Sequence, residues 1–151
     1  MEVSYENVTT TYYFIRHAEK DRFDPSDKNP HLTDIGNSRA VHWSEILSEV
    51  KFDAVFSTDY NRTKETAQPT ANKNKLELTI YDPNAIEASS FMKDTKGKTV
   101  LIVGHSNTTP TFVNKILGQK KYEDIDDRNN GNLYIVTVNG DTISDQLLVI
   151  N

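Results

Sequence analysis

The run Thr99-Val100-Leu101-Ile102-Val103 constrains the fold more than any other stretch of the chain. An unbroken apolar strand has no face to give to water, so it belongs in a sheet covered by helices on both sides. Three further strand-like segments, Thr11 to Ile15, Phe52 to Phe56 and Leu76 to Ile80, are separated by helix-like segments. That β-α-β-α order predicts a largely parallel sheet and a three-layer α/β/α sandwich.

The punctuation between these runs sets the helices. Thr33 is placed to cap a first helix reaching about Val50, with Ile35, Val41, Ile46, Leu47 and Val50 as its apolar stripe. A second helix starts near Asp59, and Pro69 is expected to kink or end it, because proline lacks an amide donor and crowds the preceding turn. A short helical stretch covers Asn84 to Asp94, and Thr108 to Leu117 forms another helix that stops at Gly118. Leu133 to Val138 and Thr142 to Ile150 flank Asn139-Gly140-Asp141, which predicts an antiparallel C-terminal hairpin.

A chain of 151 residues suits one domain, taken as residues 11–151 behind a polar leader at 1–10. The net charge of −5 offers no basic footprint for nucleic acid or an anionic membrane. With no cysteine there is no disulfide framework, thiolate metal site or cysteine nucleophile. No apolar run approaches the roughly 20 residues of a membrane span. As written, the chain is expected in the cytoplasm; removal of a signal peptide ahead of the leader would make it secreted or periplasmic. Oligomeric state has no signature in the sequence.

Four residues fall where strands end in a parallel sheet, at the edge where such sheets bind ligands: Arg16 and His17 after the first strand, Arg62 early in the second helix, and His105 after the fourth strand. A phosphoryl group in transfer spreads negative charge over its equatorial oxygens, and arginine presents a fixed fork of donors to them. A neutral imidazole can attack phosphorus through one ring nitrogen if an acceptor holds the other. Two arginines and two histidines therefore point to a phosphoryl pocket.

The segment Arg16-His17-Ala18-Glu19 resembles the Arg-His-Gly-Glu signature of the histidine phosphatase superfamily, also called phosphoglycerate mutase-like. Leu32-Thr33-Asp34-Ile35-Gly36 is similar to that family's Leu-Thr-x-x-Gly helix opening. Ser57 to Ala67 is similar to its Ser-x-x-x-Arg segment, and Gly104-His105-Ser106 to its last motif. The resemblance implies that His17 becomes phosphorylated while Arg16, Arg62 and His105 hold the phosphate. Ala18 departs from the glycine of the commonest signature by one methyl group.

The family's proton donor is an acidic residue after the third strand or directly after the second histidine, and here Ser106 and Asn107 exclude the latter. Glu87 is the first candidate, with Asp24, Asp82 and Glu19 as rivals; the role needs a pKa raised by burial or by neighbouring carboxylates. Substrates with good leaving groups, phosphohistidine among them, need no strong acid. Ser106 and Asn107 open the helix after the fourth strand, whose free amides suit an anion. Ser57 and Thr58 read first as helix caps, His31 and His42 as structural or solvated, Glu123 to Asp127 as a solvated loop and Asn129-Asn130-Gly131 as a turn.

The expected activity is metal-independent, cofactor-free hydrolysis of a phosphomonoester, or of phosphohistidine on a protein, through a phosphohistidine at His17. Its partner is a phosphorylated small molecule or phosphoprotein. The alternatives are a phosphate-binding or phosphoprotein-binding module without turnover and a phosphomutase; a mutase must shield its intermediate from water, and this chain has few residues for a lid.

Overall fold

The computed structural model describes residues 8–151. Met1 to Asn7 of the expected leader lie outside the described residues, whereas Thr9 and Thr10 already belong to the first strand. The elements follow in the order β1 (Thr9–Arg16), α1 (Asp34–Ile46), β2 (Ala54–Ser57), α2 (Asn61–Lys73), β3 (Leu78–Ile80), α3 (Ala88–Asp94), β4 (Thr99–Gly104), α4 (Thr108–Leu117), β5 (Asn132–Asn139) and β6 (Thr142–Val149).

The six strands form one sheet in the order β3-β2-β4-β1-β5-β6. β3, β2, β4 and β1 run parallel, β5 pairs antiparallel with β1, and β6 pairs antiparallel with β5. Asn139 faces Thr142 at the hairpin, and Gly140 takes φ 60° as the first residue of the two-residue turn, a conformation glycine adopts without strain.

Alternate residues of each inner strand serve opposite layers. Tyr12, Phe14, Val100 and Ile102 pack with Phe91 of α3 and with Phe112, Val113 and Ile116 of α4. Ile15, Val55, Leu101 and Val103 pack with Trp43 and Leu47 at α1 and with Ala67 and Ala71 of α2. Burial of Val100 to Val103 on both faces is what an unbroken apolar strand requires.

The helical expectations are corrected in part. The stripe assigned to α1 is its buried face only in part: Leu47 is buried and Val50 half-buried, whereas Ile35, Val41 and Ile46 are exposed and Gly36, Ala40, Trp43 and Ser44 are buried. The inward face is built from small residues and one large ring, a pattern that a count of aliphatic side chains misses. α1 also stops at Ile46, with turns covering the following residues to Val50. Pro69 lies inside α2 and does not end it. Burial of Thr66, Ala67, Thr70 and Ala71 holds the helix together against a cost of about 3 kcal/mol for an interior proline.

Gly36 fixes how α1 meets the segment after His17. A Cβ there would stand 2.1 Å from the Glu19 carbonyl oxygen. Thr33 caps the helix by accepting from the Gly36 amide at 3.0 Å, and its own amide donates to the same Glu19 carbonyl at 2.9 Å. The Leu-Thr-x-x-Gly motif thus clamps the loop carrying the nucleophile candidate onto a helix start.

Candidate active site

The register of β1 against β4 pairs Arg16 with Gly104, and the His17 amide donates to the Gly104 carbonyl at 2.9 Å. The two histidines are thereby brought side by side, with ring centroids 5.9 Å apart at 65°. They share a 310 Å³ cavity with Arg16, Lys20, Arg62 and Ser106. Tyr60, Asn84, Asn107, Thr108 and Asp127 also reach its wall.

His17 is buried, and its Nδ1 lies 2.7 Å from the Ala18 carbonyl oxygen. A carbonyl can only accept, so Nδ1 carries the proton and Nε2 keeps its lone pair. Burial, reinforced by the charges of Arg16 and Arg62, pulls the His17 pKa down to about 3 despite the Ala18 contact. The ring is therefore neutral at ordinary pH, as a nucleophile must be. Its main chain is pinned as well: Asn130 donates to the His17 carbonyl at 3.0 Å, and the Ala18 amide donates to Thr66 Oγ1 at 2.8 Å.

His105 is held from the other side. Thr58 Oγ1 donates to Thr63 Oγ1 at 2.8 Å, and Thr63 in turn donates to the Thr58 carbonyl at 2.9 Å. With its one hydrogen committed, the Thr58 hydroxyl accepts from His105 Nε2 at 2.9 Å. Burial, then the charges of Arg62 and Lys20, lowers the His105 pKa to about 4. Ser57 and Thr58 are therefore not caps: Tyr60 occupies the N-cap position of α2, the Ser57 hydroxyl donates to the Thr58 carbonyl, and Thr58 serves the site.

The arginines are oriented by different means. Arg16 is buried, and its Nη1 donates to the carbonyls of Asp126, Asp127 and Asn129 at 3.1, 3.1 and 2.8 Å. Its Nη2 reaches Asp127 Oδ1 at 3.3 Å. The acidic run expected to be a solvated loop keeps its carboxylates exposed, but its backbone is wrapped onto Arg16, with Ile125 buried and its amide bonded to the Ser106 carbonyl at 2.8 Å. Arg62 stacks over the Tyr60 ring at 4.6 Å, and the same ring meets His105 edge-on at 5.1 Å. Arg16 Nε, Arg62 Nε and Thr108 Oγ1 are buried without a hydrogen-bond partner among the described residues. Trp43 Nε1 and Thr70 Oγ1 are also unpartnered but lie away from the cavity, whereas these three belong to residues on its wall and are free to meet an anion.

Ser106 and Asn107 sit at the start of α4, as their position in the chain predicts. The Asn107 side chain is committed to the cap, accepting from the Thr108 amide at 2.9 Å. This leaves the positive end of the helix directed at the cavity.

Glu87 is not brought to this site. It is fully exposed at the N-cap of α3, on the wall of a separate groove, and accepts from the hydroxyls of Ser89 and Ser90. Those bonds hold its pKa below the ordinary carboxylate value, the reverse of what a proton donor needs. Glu87 occupies the N-cap position without a capping bond from its side chain, and the hydroxyls of Ser89 and Ser90 take the carboxylate instead. The rivals fare no better. Asp24 is exposed and lowered by bonds from Ser26. Glu19 is raised by burial but lowered further by Arg39, whose Nε reaches it at 2.9 Å. Asp82 accepts from the Asn84 amide and borders the neighbouring grooves. The carboxylate on the cavity wall is Asp127, kept ionised by hydrogen bonds and charge from Arg22, then by Arg16.

Lys20, Tyr60, Asn84, Thr108 and Asp127 escape the motif reading. Lys20 directly follows the first motif and Tyr60 lies within the Ser57 to Ala67 segment, so these two carry a local signal. His31 and His42 lie away from the cavity, bonded or close to Glu65 and Glu45 at 2.5 and 3.9 Å. Among the described residues no cluster of three or more potential metal ligands is gathered, and no helix is long and apolar enough to cross a membrane.

The model of the histidine phosphatase superfamily, branch 1, matches residues 12–89, which include Arg16, His17 and Arg62. The chain belongs to this superfamily. No curated protein sequence matches it significantly. Among solved structures, the protein histidine phosphatase SixA bound to tungstate is similar at TM-score 0.71 and 14% identity, covering 92% of this chain and 96% of that one. A phosphoglycerate mutase from Bacillus anthracis aligns at TM-score 0.69 and 15% identity over 95% and 94% of the two chains. A phosphoserine phosphatase from Entamoeba histolytica with bound phosphoserine aligns at TM-score 0.62 and 17% identity over 85% and 89%. At such identities the likeness establishes a shared fold, and the superfamily contains both phosphatases and mutases.

Proposed function

We propose that the chain is a metal-independent phosphohydrolase whose His17 carries the phosphoryl group, and that it prefers phosphohistidine or a related phosphoramidate to alkyl phosphomonoesters. The observation that carries this reading is a neutral, tautomerically fixed His17 in a cationic pocket whose described residues include no carboxyl group with a raised pKa.

In the first step His17 Nε2 attacks phosphorus in line, and the bond from phosphorus to the leaving atom breaks as the new P–N bond forms. Charge gathered on the equatorial oxygens is met by Arg16 Nε, Arg62 Nε, Thr108 Oγ1 and the start of α4. An alkoxide leaving group would require a proton at this moment, and Glu87 is not positioned to give one. A protonated phosphoimidazole instead expels neutral imidazole and needs no acid. In the second step water attacks the phosphohistidine, phosphate leaves with the water oxygen, and Nε2 regains its lone pair while Nδ1–H stays with the Ala18 carbonyl.

The test is phosphate release from phosphoramidate and from an alkyl phosphate, with chelator present, by wild type, His17→Ala and Glu87→Gln. Wild type should turn over phosphoramidate and leave the alkyl ester nearly untouched. His17→Ala should lose more than about a thousandfold of the activity, and Glu87→Gln should stay within about twofold of wild type. A large defect in a folded Glu87→Gln protein would restore Glu87 as the acid. Absence of turnover in folded wild type would favour the binding-module reading.

A further inference from the structure

The cavity holding the histidines does not end at its own wall. Tyr60, Pro83 and Asn84 border it and also a second depression of 450 Å³. That depression shares Ile80, Tyr81 and Asp82 with a groove of 510 Å³ floored by Phe56 and Phe91. The three depressions thus adjoin in series, a trough running from the phosphoryl site past the end of β3 to α3.

Charge changes sign along this trough. The phosphoryl end is lined by Arg16, Lys20 and Arg62. Beyond Asn84 the wall carries Asp59, Asp82, Glu87 and Asp94, with no lysine, arginine or histidine. Asp59 is paired with Lys64 at 3.0 Å, whereas Asp82, Glu87 and Asp94 have no ion-pair partner among the described residues. The floor between the carboxylates is aromatic and aliphatic. A ligand matching the whole trough is anionic at one end and apolar with positive charge at the other.

The backbone adds a further constraint. β3 is the outermost strand, bonded to β2 on one side, and Ile80 on it is exposed. Unpaired amides and carbonyls on such an edge can bond to an extended chain, with side chains of that chain dropping into adjacent pockets. A polypeptide uses the edge, the apolar floor and the carboxylates together.

We propose that this trough seats the polypeptide arm of the substrate, an extended segment with a basic and an apolar residue next to its phosphorylated side chain. The proposal rests on the phosphohydrolase reading for its catalytic consequence, but the docking itself does not require turnover. It also gives Glu87 a role after its removal from proton transfer: with Asp94 it selects the positive residue of the substrate.

Two phosphohistidine peptides test it, one with leucine and lysine beside the phosphorylated residue and one with serine and glutamate. Wild type should favour the basic-apolar peptide by about tenfold in kcat/KM, the scale of a few partly exposed charge contacts. The double variant E87K/D94K should erase the preference while hydrolysing free phosphoramidate within about twofold of wild type. Because that variant also changes net charge, E45K/E49K on the α1 side is the control, and it should keep the preference. Equal rates on both peptides with phosphoramidate turnover intact would overturn the docking proposal alone, as would a preference surviving E87K/D94K or disappearing in the control. Fluorescence anisotropy of both peptides on His17→Ala protein reads the trough without chemistry. Tighter binding of the basic-apolar peptide there, with no turnover by wild type, would sink the hydrolase reading and keep the docking one; equal affinities would sink docking.

Discussion

A histidine acting on phosphorus must be neutral, must present one particular nitrogen and must not swing away. At His17 these requirements are met by one backbone oxygen and by burial: the Ala18 carbonyl fixes the tautomer, and desolvation keeps the ring uncharged. Sequence reading finds the residue but not this arrangement, since the acceptor belongs to the next residue's main chain. Arg16 is similar. Its side chain is legible as a phosphate ligand, yet three carbonyls of residues 126, 127 and 129 orient it, more than a hundred positions away. Glu87 fails for a local reason, because the hydroxyls of Ser89 and Ser90 claim its carboxylate on the wall of a neighbouring groove. Residue identity near a motif does not reveal which partner will claim a carboxylate.

Among the elements, the parallel strands and α4 are readable because their apolar runs are dense and sharply bounded, and Gly118 with φ 73° closes α4 as a left-handed cap. α1 is less legible, since a glycine, an alanine, a tryptophan and a serine carry its contact with the rest of the domain. Small residues allow close approach but leave little periodic signal. Gly36 is the sharpest case. Gly36→Ala should destabilise the protein by about 1 to 3 kcal/mol, the usual cost of overpacking, because its methyl group would collide with the Glu19 carbonyl. Urea unfolding checks this; an unchanged midpoint would mean that α1 can shift freely against the His17 loop. Pro69 carries the opposite lesson: tertiary burial overrides a strong local breaker where buried residues flank it, Thr66 and Ala67 before and Thr70 and Ala71 after.

For the molecule as a whole, the burial of His17 and the partial burial of His105 make stability depend on pH. The folded pKa of His17 is about 3 and that of His105 about 4, against about 6.5 in an unfolded chain. Between those values the unfolded state binds more protons than the folded state, so stability is full above about pH 6.5 and falls as the pH drops toward the folded values. Between about pH 7.5 and pH 5.5, a range above most carboxylate titration, the urea midpoint of wild type should fall more than that of His105→Gln. Identical pH slopes would contradict the neutral burial of His105. His31 works in the opposite sense, because donating to the Glu65 carboxylate raises its pKa; its contribution is full below the unfolded pKa and fades as the pH rises through the folded one. An acidic chain of net charge −5 thus keeps a cationic pocket at one sheet edge and an acidic trough beside it.

The central claim is that the phosphoryl group passes through His17. Rapid mixing with phosphoramidate, quenching in alkali to preserve a phosphoimidazole and mapping the modified peptide by mass spectrometry tests it most directly. One phosphoryl group on His17, formed within the first turnover and absent from His17→Ala, is the predicted result. Turnover without an adduct, or with the adduct on another residue, would contradict the account.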